Sequence, residues 1–121
     1  MDKSNFAKTG NFFEAEVDGI KISISDTVMS DETLQLSKKV LLDYPKKIMA
    51  IAEYISQDEW IAGTYNLSEE EIAEKLNKPN ILMFERGGQL SYCENEIDCN
   101  HILVVEFGGA LVGFYEVRMD G

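Results

Sequence analysis

His101 is the only histidine in the chain, and imidazole is the side chain that titrates near neutral pH. Alternating residues flank Gly108-Gly109, so a two-residue hairpin loop is expected there. That register sets Phe107 opposite Ala110, Val105 opposite Val112, Leu103 opposite Phe114 and His101 opposite Glu116. A carboxylate across the strands would orient the imidazole or raise its pKa, which is half of an acid/base site. Tyr115 adjoins Glu116, and His101, Glu116 and Tyr115 together make a candidate ligand pocket. The plainer reading is a polar pair closing the end of a hairpin. No nucleophile or third group is implied nearby, so no residue is assigned as catalytic.

Other groupings point to less. Cys93, Cys99 and His101 offer three metal-binding side chains, but five residues separate the cysteines and a fourth ligand is missing, so no metal is expected. With a three-residue loop centred on Glu96, the two cysteines would face each other and could form a disulfide under oxidation. Glu94, Glu96 and Asp98 alternate in one stretch, but the spacing, turn glycine and distal glutamate of an EF-hand are absent, which leaves a solvated acidic loop. The chain contains no Walker A, GxGxxG, HExxH or GxSxG pattern. No cofactor is expected, and a non-enzymatic role is favoured over an enzyme.

The 121 residues suit a single domain. Hydrophobic content of 45% and aromatic content of 10% argue for a packed core. The net charge is −11, and it is uneven: residues 51–100 hold eleven acids and three bases, for −8. Such a surface repels phosphate backbones and anionic lipid, so neither nucleic acid nor membrane is an expected partner, whereas a basic protein is. The first residues lack a signal-peptide apolar core, and the longest apolar run, Ile48 to Ala52, is far short of a membrane span. A cytoplasmic setting with reduced thiols follows as the expectation.

These side chains need elements to position them. Phe12–Val17 and Ile20–Ser25 alternate around Asp18-Gly19, a pair suited to a type I′ turn. Val17 then faces Ile20, Ala15 faces Ile22, Phe13 faces Ile24 and Glu16 faces Lys21. Ser30 is a candidate N-cap. Pro45 interrupts the helical stripe behind it, so the pattern predicts two helices, about 30–43 and 45–57, with one kinked helix as the alternative. Trp60 and Ile61 are expected to pack under the connection. Ser68 and Glu71 form a capping box, with Leu67 and Ile72 as its hydrophobic staple, for a third helix ending near Asn77. The remainder reads as strands: Ile81–Glu85, a Gly87-Gly88 turn, Gln89–Glu94, His101–Phe107, the Gly108-Gly109 turn and Ala110–Met119. Residues 1–10 are expected to be a mobile tail and 11–121 one α+β domain. In it, an antiparallel sheet of about six strands, an N-terminal hairpin plus a C-terminal meander, carries about three helices on one face.

The stretch from Trp60 through Leu67-Ser68-Glu69-Glu70 into the strands, with His101–Val105 and Gly113–Gly121, resembles a bacterial family of small uncharacterised proteins, a domain of unknown function. That family has an N-terminal hairpin, a helical middle and a C-terminal meander. The resemblance covers about residues 12–121, and the two-residue turn between the last strands departs from the longer turn associated with the family. It implies the fold and a bacterial cytoplasmic setting, and assigns no activity. The leading expectation is therefore a protein-binding module, of the immunity or antitoxin kind that neutralises a partner. Its acidic interface would include Glu69, Glu70, Glu94, Glu96 and Asp98. The alternatives are a small-ligand binder or enzyme using His101, Glu116 and Tyr115, and a module pairing through a sheet edge.

Overall fold

The computed structural model describes residues 5–121. Its elements run β1 (Ala7–Thr9), β2 (Phe12–Val17), β3 (Ile20–Ser25), α1 (Asp31–Ser56), α2 (Glu59–Tyr65), α3 (Glu69–Leu76), β4 (Asn80–Met83), β5 (Gly87–Tyr92), β6 (Ile102–Gly108) and β7 (Gly113–Asp120). The fold is α+β, with three helices on one side of a single sheet of seven strands in the order β1 to β7. All neighbouring strands are antiparallel except β3 and β4, which pair in parallel with Ile22 beside Ile81 and Ile24 beside Met83. The helical segment is therefore the crossover that parallel strands require. Residues 7–9 of the expected tail are strand β1, and Phe6 is buried; residues 1–4 lie outside the described residues.

The β2–β3 hairpin has the register expected from Asp18-Gly19, with Val17 opposite Ile20 and Phe13 opposite Ile24. Both turn residues have positive φ, 52° and 82°. Its inner side chains join Ile81, Met83, Leu90, Tyr92, Leu103, Val105 and Phe107 in the core under the helices. The opposite face carries Glu14, Lys21, Ser23, Gln89, Glu106 and Arg118, following the period of two.

Three sequence expectations are corrected. The segment read as two helices is one helix, α1, running through Pro45. Val40, Tyr44, Ile51 and Ile55 are buried on both sides of the proline, and their shared burial outweighs the roughly 3 kcal/mol that a mid-helix proline costs. Residues 59–65 form a separate helix, α2, in which Asp58 Oδ1 accepts from Ile61 N at 2.9 Å and Asn66 closes the end with φ 51°. Gly87 and Gly88 are strand residues, not a turn, lying opposite Gly108 and Phe107. A Cβ on Gly87 would sit 2.2 Å from the Phe107 carbonyl oxygen, so the strands approach too closely there for any side chain.

Candidate functional site

The last hairpin decides where the predicted site residues go. Its loop is longer than two residues, with Leu111 at φ 62° and Ala110 and Leu111 both buried. Glu106 pairs with Glu116 but Phe107 pairs with Phe114, so Tyr115 is an extra residue in β7, a β-bulge. Beyond the bulge Val105 faces Val117 and Leu103 faces Met119. The expected facings of Val105 with Val112, Leu103 with Phe114 and His101 with Glu116 are thus overturned. His101 lies beside Gly121 instead, and Glu116 lies opposite Glu106.

His101 belongs to a different cluster. Its Nδ1 is shielded from solvent and sits 3.0 Å from Asp98 Oδ2, off the axis of a hydrogen bond. The Tyr65 hydroxyl donates to the same carboxylate oxygen at 2.6 Å, and the Asn100 N–H donates to Oδ1 at 3.1 Å. Tyr65 first, then His101, hold Asp98 down to about 2, while the carboxylate pushes Tyr65 up to about 12. A phenol so stabilised is a poor nucleophile at neutral pH. The loop around it is built by buried Asn95, whose Nδ2 donates to the Tyr92 and His101 carbonyls and whose Oδ1 accepts from Ile97 and Asp98 N–H. The cluster ties α2 to the β5–β6 loop. Asp98 is thereby turned toward Tyr65 and His101, unlike its acidic neighbours.

Glu116 and Tyr115 enter a second environment. Arg118 Nη1 lies 2.9 Å from Glu106 Oε2 and 3.3 Å from Glu116 Oε2, while its Nε lies 3.1 Å from Asp120 Oδ2. One guanidinium thus serves three carboxylates. The Glu116 pKa is raised, chiefly by sharing a proton position with Glu106 directly opposite. Tyr115 is exposed and lies over Gly108. Tyr115, Glu116 and Val117 form one wall of a cleft of about 410 Å³ whose other wall is Tyr54, Gln57 and Asp58. Neither Glu116 nor Tyr115 meets His101, so the expected three-residue pocket is not formed.

The acidic residues are arranged around α3. Glu69 and Glu70 are exposed in its first turn; Glu94 and Glu96 are exposed at its other end. Glu96 N–H donates to the Lys75 carbonyl at 2.7 Å, and Asn77 Nδ2 donates to the Glu94 carbonyl at 2.6 Å, which fixes the loop to the helix. Cys93 and Cys99 are free and exposed; the loop between β5 and β6 spans residues 93–101, too long to set them face to face. Among the described residues no group of three or more His, Cys, Asp or Glu side chains converges on a point where a metal could sit.

The residue that sequence reasoning missed is Trp60. Expected under the connection, it is 57% exposed, while its neighbour Ile61 is buried. Its ring stands edge-on to Tyr65, with centroids 5.9 Å apart at 82°. A helical reading of residues 58–65 would have found it: one turn away on either side of Trp60 stand Ser56, Gln57, Gly63 and Thr64, none of which makes an apolar stripe.

Neither the family models, nor the curated proteins, nor the solved structures compared with this chain gave a match. Function must therefore be argued from the surface itself. No helix among the described residues is long and apolar enough to cross a membrane. Among the chain's exposed aromatic residues Trp60 stands against Tyr65, whose hydroxyl is fixed to Asp98, and the 93–101 loop and α3 carry exposed carboxylates.

Proposed function

We propose that this chain is a protein-binding module, immunity- or antitoxin-like, that captures a basic protein partner on the side formed by α2, α3 and the 93–101 loop. The observation that carries this reading is Trp60: the only tryptophan, more than half exposed, and braced by Tyr65, which is itself fixed to Asp98. Tryptophan is enriched among the few residues that dominate binding energy at interfaces. A braced ring loses little freedom on binding, so more of its buried area appears as affinity. Glu59, Glu69, Glu70, Glu94 and Glu96 are exposed on the same elements. Their charge would steer a basic partner and reject acidic ones.

The experiment is covalent cross-linking of tagged protein in its host cells, followed by identification of the attached peptides. The expected result is a basic partner cross-linked near α2 and α3, whose capture falls about tenfold or more with Trp60→Ala, the loss common for an aromatic anchor. Capture should also weaken as salt rises from low to about 0.5 M. A partner retained equally by Trp60→Ala and at high salt would refute the reading, as would cross-links confined to other faces.

A further inference from the structure

A sheet of seven strands in an open order has two edges, and here they differ. At one end β1 is only three residues long, too short to template another strand. At the other, β7 is eight residues long, contains no proline and, among the described residues, pairs only with β6. In an antiparallel pair alternate residues turn their N–H and C=O groups away from the partner, so β7 presents a row of such groups outward.

The cleft beside it confirms that this edge is open. Glu116 belongs to the sheet face away from the helices, whereas Tyr54 belongs to α1 and its ring meets that of inward-facing Phe114, 5.5 Å between centroids. A cleft of about 410 Å³ touching both must open past the free side of β7. Its charged side chains are Asp58 and Glu116, both acids. Tyr54 is pushed up by burial and then by these two carboxylates, a sign of the same negative field. The adjoining Arg118 does not reverse it, since it faces Glu106, Glu116 and Asp120 at once.

We infer that the free edge of β7 is the docking site for an extended, lysine- or arginine-bearing segment of a protein partner, which adds to the sheet as an eighth strand. The inference rests on the reading of the chain as a binder of basic proteins and specifies how one such partner docks. Main-chain hydrogen bonds supply the attachment and alternate side chains the selectivity. Side chains on the outer face would meet Glu116, Asp120 and, between them, an Arg118 already paired with both; those on the inner face would meet Val117, Met119 and Tyr54. The segment recognised is thus one in which basic and apolar residues alternate. A second copy of this chain is a poorer occupant, because two chains of net charge −11 repel and would bring Asp58 and Glu116 of each toward those of the other.

The test uses a capped octapeptide of alternating lysine and valine, and two versions N-methylated at one or the other alternate set of residues. Methylation removes the edge-facing donors and leaves the charge unchanged. The expected result is slowed amide exchange along residues 116–120 with the plain peptide, and about a tenfold or greater affinity loss for one of the methylated versions, as expected when several main-chain bonds are denied. Glu116→Lys should weaken the plain peptide, and Glu116→Gln, which leaves the strand uncharged there, should weaken it less. Equal binding of all three peptides, protection away from β7, or a concentration-dependent dimer that buries β7 would overturn the inference. If those results come while Trp60-dependent capture of a basic partner persists, strand addition alone is wrong; if that capture fails as well, the binding reading falls with it.

Discussion

Tyr44 on α1 and Tyr92 on β5 share a hydroxyl–hydroxyl hydrogen bond of 2.8 Å inside the core, where their side chains are 4% and 0% exposed. Changing Tyr44→Phe leaves the Tyr92 hydroxyl buried without that partner, at a cost of about 1–3 kcal/mol. Tyr92→Phe strands the Tyr44 hydroxyl at a similar cost. Removing both hydroxyls leaves two phenylalanines of nearly the same shape and no orphaned polar group, which is close to neutral. The double variant should therefore be more stable than the sum of the singles by about 2 kcal/mol or more, a coupling far above the few tenths typical of independent sites. In a domain this size each single would lower Tm by roughly 3–10 °C. Urea unfolding of the four proteins, followed by circular dichroism, measures the cycle. The same pair sets an alkaline limit. Burial pushes Tyr44 up to about 12 and raises Tyr92 well above its ordinary value, while an unfolded tyrosine ionises near 10. Their neutral forms thus stabilise the fold fully below about pH 10, and that contribution is lost as pH rises toward 12 and beyond. The double variant should lose this pair's share of the alkaline slope, leaving the share of Tyr65. Strictly additive single effects, or an alkaline transition unchanged in the double variant, would refute the reasoning.

Three further outcomes can be checked. Gly87→Ala should cost about 3 kcal/mol or more, because its Cβ would lie 2.2 Å from backbone and neither strand can yield cheaply; Gly63→Ala, in open space on α2, should instead stabilise by about 0.5–1 kcal/mol in the same thermal melts. Ser68→Ala removes the acceptor for Glu71 N–H and should cost about 1 kcal/mol by chemical denaturation. Asp98 is held down to about 2, below its unfolded value near 4, so its contribution is present above pH 4 and lost as pH falls toward 2; Asp98→Asn should flatten that part of an acid titration, and Tyr65→Phe should raise the Asp98 pKa seen by NMR.

Much of the fold was legible because its signals were local. Asp18-Gly19 set a register that held for all six pairs of β2 and β3, and the Ser68–Glu71 capping box is present as both of its bonds. The failures share a cause: a residue type was read by its local preference where a distant contact decided. Pro45 signalled a break, yet burial of residues on both sides carried the helix through. Gly87-Gly88 signalled a turn, yet those glycines exist for close approach to the strand opposite. The parallel pairing of β3 with β4 links residues nearly sixty positions apart, and nothing local announces it. The candidate site was less legible than the fold. Its pairing of His101 with Glu116 hung on one loop length, and the bulge at Tyr115 with the buried Ala110-Leu111 turn displaced every facing beyond it. Exposure of Trp60 is hidden because α2 is only seven residues long and buries Ile61 alone, which leaves no apolar period to set its outer face.

The parallel joint between β3 and β4 also governs how the chain must assemble. The first hairpin and the last four strands each close through short loops, whereas their junction waits for the whole helical crossover between Ser25 and Asn80. Closing that span costs more chain entropy and slows folding relative to local pairing. During synthesis, at about 5–20 residues per second, β3 has no neighbour on that side until residue 80 and beyond have left the ribosome. For several seconds the nascent protein carries a bare strand with Ile22 and Ile24 uncovered, so the hazard of mispairing falls on newly made chains, before the finished domain hides that strand in the middle of its sheet.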